Sequence, residues 1–152
     1  MIREACRGDA EVIASLINES NYHAYKNLIP REYFRHPVVS SEEILRDMGR
    51  MNFYVYELGG EVVGVAALMP RFDEGVGIVR WVYVHPRFWR RGIGTALMKR
   101  VEKEARALGL RKLRLKTLEN AWAVNFYLKL GFVVKEYIER PGWRDVVMEK
   151  VL

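Results

Sequence analysis

Trp81-Val82-Tyr83-Val84-His85-Pro86-Arg87-Phe88-Trp89-Arg90-Arg91-Gly92-Ile93-Gly94-Thr95-Ala96-Leu97-Met98 is the stretch that decides the fold. Its apolar start carries β-branched Val82 and Val84, and the residue before Pro86 is held extended, which predicts a strand closing at His85. A basic turn follows, and Gly92-Ile93-Gly94 opens a helix. The two glycines remove side chains where the backbone turns, so the first amide N–H groups of the helix stand uncovered. Those orphan donors, with the helix dipole, attract an anion. Arg87, Arg90 and Arg91 add positive charge beside them. The stretch reads as a cradle for a phosphate or pyrophosphate.

Two common phosphate ligands fit poorly. The stretch lacks the Gly-Lys-Ser/Thr of a P-loop. A dinucleotide fingerprint needs a further glycine three residues after Gly94, where Leu97 stands, and belongs to the first strand–helix unit of its chain. Here three strands precede it.

Composition narrows the class. The chain has 152 residues, 50% of them hydrophobic, which is enough for one domain with a sizeable core. Residues 1–152 are therefore expected to form a single domain. No apolar run approaches a membrane span, and Met1-Ile2-Arg3-Glu4 begins no secretory segment, so a membrane partner is not expected. The lone Cys6 rules out an internal disulfide framework and fits a reducing cytoplasm. A net charge of +6 favours anionic ligands without separating nucleic acid from a phosphorylated cofactor. The absence of glutamine beside abundant Lys, Arg and Glu leans towards a heat-adapted source.

Outward from the central stretch the other elements fall into place. Met1 to Cys6 reads as a short strand. Asp9 is placed to cap a helix whose stripe is Val12, Ile13, Leu16 and Ile17. Asn21 to Ser40 is the least regular part, with Tyr22, His23, Tyr25, Tyr33, Phe34 and His36 among Lys26, Arg31 and Arg35. Ser40 or Ser41 caps a second helix, with Ile44, Leu45 and Met48 inward. Phe53–Leu58 and Glu61–Met69 flank Gly59-Gly60, a hairpin signal, and Gly64 marks a bulge or the close approach of another group. Pro70–Gly77 is read as a loop and Gly77–His85 as the central strand. The helix from Gly92 buries Leu97, Val101, Ala105 and Leu108 and stops at Gly109. Lys112–Leu118 is a strand that the intervening helix makes parallel to the central one. Asn120–Leu130 is a short helix ended by Gly131. Phe132–Glu139 and Trp143–Val151 form a hairpin around Pro141-Gly142. The order is β-α-α-β-β-β-α-β-α-β-β, a mixed α/β domain.

With that order in place, the sequence resembles the GNAT superfamily of acetyl-coenzyme A-dependent N-acetyltransferases. The cofactor motif of that family, Arg/Gln-x-x-Gly-x-Gly/Ala, is matched by Trp89-Arg90-Arg91-Gly92-Ile93-Gly94 except at its first position, where Trp89 stands. A second motif is matched by Asn120, Ala123 and Tyr127-Leu128-Lys129-Leu130-Gly131-Phe132. The resemblance spans nearly the whole chain. It implies a central mixed sheet, flanked by helices, in which the fourth and fifth strands are parallel and splay apart. Backbone groups of Val82, Tyr83 and Val84 would pair with the pantetheine arm. The pyrophosphate would lie on the amides of Arg91, Gly92, Ile93, Gly94 and Thr95 beside Arg90. Asn120 would hydrogen-bond the arm, and Tyr127 would protonate the departing thiolate as the catalytic acid. The implied cosubstrate is acetyl-CoA, leaving as coenzyme A, with no metal. The implied reaction is direct attack of a primary amine on the thioester.

Family members that modify protein N-termini often place a glutamate five residues before the motif asparagine. Leu115 occupies that position, which leaves Glu119, Glu74, Asp73, His85 or water to take the amine proton. Tyr22 to His36 lies where family members build the acceptor pocket, and its aromatic, basic character suits an amine that also carries an anionic group. A non-catalytic acyl-coenzyme A sensor of the same fold is the alternative function. A nucleic-acid interface is disfavoured, because basic residues alternate with Glu, as in Glu102-Lys103-Glu104-Arg106. The final hairpin offers a free edge through which two copies could pair as a homodimer.

Overall fold

The strand that carries the central stretch, β4 (Val76–Val84), lies in the middle of a seven-stranded sheet of order β1-β2-β3-β4-β5-β7-β6. The structure is a computed structural model describing residues 1–152, with Ala121 placed by its backbone alone. The other strands are β1 (Ile2–Glu4), β2 (Asn52–Leu58), β3 (Glu61–Arg71), β5 (Lys112–Leu118), β6 (Val133–Arg140) and β7 (Trp143–Val151). The helices are α1 (Ala10–Tyr25), α2 (Ser41–Met48), α3 (Ile93–Ala107) and α4 (Ala121–Lys129). Apart from two short 3₁₀ turns, Arg7–Asp9 and Pro86–Phe88, this is the element order read from the sequence.

Each face of the sheet buries its own apolar layer. On one side Ile13, Leu16 and Ile17 of α1 and Ile44 of α2 pack on Phe53, Val55, Val65 and Ala67. On the other, Leu97, Val101 and Ala105 of α3 pack on Tyr54, Leu68, Leu113 and Met148. Period-2 alternation along β2 and β3 is what feeds both layers from the same strands. Gly64 is the point of closest approach: a Cβ there would stand 2.9 Å from Leu97 Cδ1 and 3.0 Å from Ile93 Cγ2. That lets α3 settle directly on β3.

Several expectations need correction. Asp9 does not cap α1 with its side chain; its carboxylate accepts from the Cys6 amide at 2.8 Å and clamps the Arg3 guanidinium at 2.8 and 2.9 Å. The Arg3 contact holds the Asp9 carboxyl well below the usual carboxylate range. Val12 is exposed, because it falls off the arc set by Ile13, Leu16 and Ile17. Leu108 is exposed too; the chain turns at Gly109, and Leu110 enters the core instead. Helix α1 continues through Tyr22, His23 and Tyr25 into the segment read as irregular. Pro70 lies within β3, not in a loop, and Phe72–Gly75 make the turn. β2 reaches only as far as Leu68, so Pro70 needs no partner on that edge. Ser40 is the cap of α2, accepting from the Glu43 amide at 3.2 Å.

The decisive feature is that β4 is paired differently along its length. Val76, Gly77 and Ile78 pair in parallel with Lys112, Leu113 and Arg114, and there the β4–β5 ladder ends. Beyond it β5 pairs only with β7, while β4 keeps β3. The register between β3 and β4 also shifts: Ala67 faces Arg80 but Val65 faces Tyr83, so Ala66 opposes both Trp81 and Val82. Trp81 takes φ 55°, the left-handed region, at this bulge. A non-glycine residue there costs about 1–2 kcal/mol. Trp81 is held by its indole N–H, which donates to Asp47 Oδ2 at 2.9 Å.

A candidate active-site cleft between the splayed strands

Where β4 and β5 part, a cleft of about 730 Å³ opens between α1, β4, α3 and α4. Its lining is mostly apolar, with a few placed polar groups. Its walls include Val82, Tyr83, Val84, Arg90, Gly92, Ile93, Gly94, Thr95 and Tyr127, nine of the eleven residues singled out by sequence. Arg91 lies outside the lining, its guanidinium over the Phe88 ring at 5.2 Å. Asn120 sits behind the wall as the N-cap of α4.

The cleft floor is the open edge of β4. His85 N donates to Val63 O across the β3 side. Antiparallel strands turn alternate residues to opposite edges, so Tyr83 also directs its backbone to β3, opposite Val65. Val82 and Val84 direct theirs into the cleft. The Tyr83 backbone therefore faces β3 and not the cleft, and Tyr83 enters the cleft wall through its side chain. Its hydroxyl donates to Asn21 Oδ1 at 2.9 Å, and burial pushes the phenol up from its ordinary value.

The basic end is the start of α3. Gly92 caps it with φ 78°, a conformation that any other residue would strain to reach. Ala96 N is the first amide to bond within the helix, to Gly92 O at 3.0 Å, so the amides of Ile93, Gly94 and Thr95 are left to a ligand. A Cβ on Gly94 would stand 3.3 Å from Phe126 Cζ, so glycine keeps the helix start open against α4. Among the described residues none of Arg87, Arg90 and Arg91 has an acidic partner. Arg90 also has positive φ, 64°.

Among the described residues two buried side-chain polar atoms are left without partners, Asn120 Nδ2 and Ser20 Oγ. Asn120 Oδ1 is used by the Ala123 amide at 3.0 Å, which leaves its Nδ2 as a donor for a hydrogen-bond acceptor beside the cleft. Tyr127 is buried, edge-on to Phe126 at 4.9 Å and Phe132 at 5.7 Å. Burial drives its phenol far above the ordinary tyrosine value, with Tyr25 and Tyr83 adding to the effect. Tyr25 is itself raised by burial, partly offset by the Thr117 hydroxyl. Three phenols thus converge on the apolar end.

None of the four side chains considered as base candidates faces that end as a free base. Glu119 is clamped by Arg144 at 3.0 and 2.6 Å and is held ionised by that contact. Asp73 and Glu74 lie in the β3–β4 turn, at the opposite end of β4. His85 accepts from Arg87 N through Nδ1 and directs Nε2 to Glu19 at 3.2 Å, beside the basic end. Sequence reading missed Ser20, Thr117 and Trp122 as wall residues, while Ala24 and Tyr25 come from the Tyr22 to His36 segment expected at the acceptor pocket. The signal for Ser20 was its helical spacing to Ala24, hidden by the aromatic and basic residues around them.

Trp89 takes a position that its sequence context did not reveal. Its indole N–H donates to Val84 O at 2.6 Å, on the open edge of β4. The ring lies near-parallel to Trp122 at 6.5 Å, and Trp122 lies likewise to Tyr25 at 6.3 Å.

Among the described residues no group of His, Cys, Asp or Glu side chains converges as a metal site, and no helix is long and apolar enough to cross a membrane. Residues 16–132 match the model of the acetyltransferase (GNAT) family. Over 132 residues the chain is 36% identical to an amino-acid acetyltransferase of Ralstonia nicotianae, covering 87% of this chain and 26% of that protein. It is 31% identical to an uncharacterized N-acetyltransferase of Methanocaldococcus jannaschii, covering 83% of this chain and 54% of that one. The chain thus spans about a quarter and about half of these relatives. The PaiA N-acetyltransferase of Thermoplasma acidophilum, solved with coenzyme A, superposes with a TM-score of 0.85 at 22% identity, covering 100% of this chain and 98% of that one. At that identity the likeness speaks for the fold.

Proposed function

The chain belongs to the acetyltransferase (GNAT) family, and from that premise we propose that it is an N-acetyltransferase moving the acetyl group of acetyl-CoA to a primary amine by direct attack. The observation that carries this reading is the open edge of β4, which leads from the uncovered amides of α3 to Tyr127 in the cleft wall. Acetyl-CoA supplies an activated thioester, two phosphate-bearing groups and an arm rich in amides.

The residues fit that ligand. The amides of Ile93, Gly94 and Thr95, with Arg90 and Arg91, suit a pyrophosphate. The cleft-facing backbone of Val82 and Val84 suits an amide-bearing arm added like a strand, and Asn120 Nδ2 gives one more donor. Near the bulge, the Val82 amide is the donor placed to polarise a carbonyl. Tyr127 carries its proton at neutral pH and would pass it to the departing thiolate, whose basicity rises in the same partly dry site that raises the phenol. The amine must arrive neutral. Among the described residues no carboxylate lines the cleft, and the amine proton is assigned to water at its mouth.

The site groups of the proposal are thus Tyr127 as acid, and Val82, Val84, Arg90, Arg91, Gly92, Ile93, Gly94, Thr95 and Asn120 for the cosubstrate, with the Tyr83 side chain in the wall. A single domain over 1–152 is supported by two apolar layers sharing one sheet. A reducing cytoplasm is supported by the free, exposed Cys6.

The test is thiol release from acetyl-CoA against a panel of amines, with Tyr127→Phe alongside. Turnover should fall on the order of 100-fold in the variant while coenzyme A affinity stays within about twofold. Equal turnover would reject the acid role. The absence of a base facing the cleft favours one other reading, an acyl-CoA-binding module without turnover. That reading requires tight coenzyme A binding and no amine-dependent thiol release.

A further inference from the structure

Trp89 stands at the first position of the cofactor motif, where the family pattern has Arg or Gln. Its indole N–H takes Val84 O at 2.6 Å, and that carbonyl belongs to the β4 edge that faces the cleft. The bond is short for an N–H···O contact. The ring itself continues into Trp122 and Tyr25, a row of three near-parallel aromatics from α3's approach loop across α4 to α1. Trp89 and Trp122 are 43% and 54% exposed, so neither is fixed by core packing. Arg90, next along the chain, is held in the left-handed region, a strained position for a non-glycine residue.

We propose that Trp89 is a positioning residue that closes the cleft: its indole holds the Val84 carbonyl until an acyl-coenzyme A replaces the indole N–H with an amide N–H of its own arm. The proposal rests on the reading of this cleft as the acetyl-CoA site. The exchange is balanced, one N–H donor for another on one carbonyl, so the cost of opening is the loss of the aromatic row and the movement of the loop. The residue therefore lowers affinity for the cosubstrate and slows its association. Trp81, whose indole is committed to Asp47 at the bulge, does not take part.

The experiment uses the whole chain, labelled at its four indole nitrogens, with coenzyme A as the probe. Trp89→Phe assigns the Trp89 signal and keeps a ring while removing the N–H. On saturation with coenzyme A the Trp89 indole signal should shift strongly and that of Trp81 little. By calorimetry Trp89→Phe should bind coenzyme A about fivefold more tightly, the worth of one ordinary hydrogen bond in the closed form. Trp122→Leu, at an exposed site, should tighten binding in the same direction by breaking the row. Binding with an unmoved Trp89 signal, or equal or weaker affinity of Trp89→Phe, would overturn the gate and leave the cleft reading intact. If neither the wild-type chain nor Trp89→Phe binds coenzyme A, the cleft reading falls and the gate with it.

Discussion

The first and second halves of β4 have the same apolar, β-branched character but different surroundings. Val76 to Ile78 are paired on both edges, and Gly77 is so enclosed that a Cβ would stand 2.7 Å from Leu68 Cδ1 and 3.1 Å from Leu113 Cδ2. Trp81 to Val84 are paired on one edge only and are half-buried. One half spends its backbone groups on the sheet; the other leaves them for a ligand. The difference comes from the partner, since β5 turns away after Arg114, and from the bulge at Trp81, which re-aims the backbone from Val82 to Val84. The largest effect should come from placing proline in each half. Ile78→Pro should cost about 3 kcal/mol or more, because it breaks a central ladder. Val84→Pro should cost far less stability, since its amide faces the cleft, yet should weaken coenzyme A binding. Denaturant melts of both variants check this, and equal destabilisation would erase the distinction between the halves.

A second test addresses the bulge that separates the halves. Trp81 is kept left-handed by the hydrogen bond from its indole to Asp47, a buried carboxylate that also accepts from Arg50 Nη2 at 2.9 Å. Asp47→Ala leaves that indole donor without its acceptor and should cost about 1–3 kcal/mol. It should also lower kcat for acetyl transfer more than it changes coenzyme A affinity, because the bulge aims the Val82 amide proposed to polarise the thioester carbonyl. Asp47→Asn, which keeps an acceptor, should recover most of both. If Asp47→Ala leaves kcat unchanged, the bulge has no part in aiming the Val82 amide.

The closed half and the frame around it were legible in the sequence, because local chemistry decided them. Gly59-Gly60 closes the β2–β3 hairpin, with φ of 56° and 81°, and Gly109 and Gly131 end helices with φ of 78° and 96°. The open amides of α3 were legible for the same reason, since two glycines at a helix start have few other uses. The features that stayed hidden depend on tertiary partners. Trp81-Val82-Tyr83-Val84 shows uniform strand propensity, so nothing local announces a bulge or tells which backbone groups face β3. Tyr25 is carried into the cleft by an α1 that runs further than its broken apolar pattern suggested. In the sequence Trp89 is only the mismatch of the cofactor motif; the folded loop is what brings its indole to Val84. Asn120 was legible as a motif residue, but its division of labour, with Oδ1 to the α4 cap and Nδ2 free, comes from the geometry of the helix start.

The smallest expected effect distinguishes the halves through pH. Tyr83, on the open half, and Tyr127, across the cleft, are both raised by burial, whereas the closed half, Val76 to Ile78, has no ionisable side chain. In the unfolded chain a tyrosine ionises near pH 10. A phenol whose folded pKa is raised stabilises the fold fully below the unfolded pKa. That contribution is lost as pH rises from about 10 towards the folded value, because only the unfolded chain releases the proton. At pH 10 each of the two should already cost about 0.4 kcal/mol, growing with further alkali. Urea midpoints between pH 8 and 11 should therefore fall more steeply for the wild-type chain than for Tyr83→Phe, which keeps the ring and removes the proton. The Tyr83 hydroxyl also donates to Asn21, so Tyr83→Phe will start from a lower midpoint; the slope, not the height, is the measurement. Parallel curves would mean that the phenol ionises as readily in the fold as in the open chain. The open half would then be wet where the proposed proton transfer from Tyr127 needs a partly dry cleft.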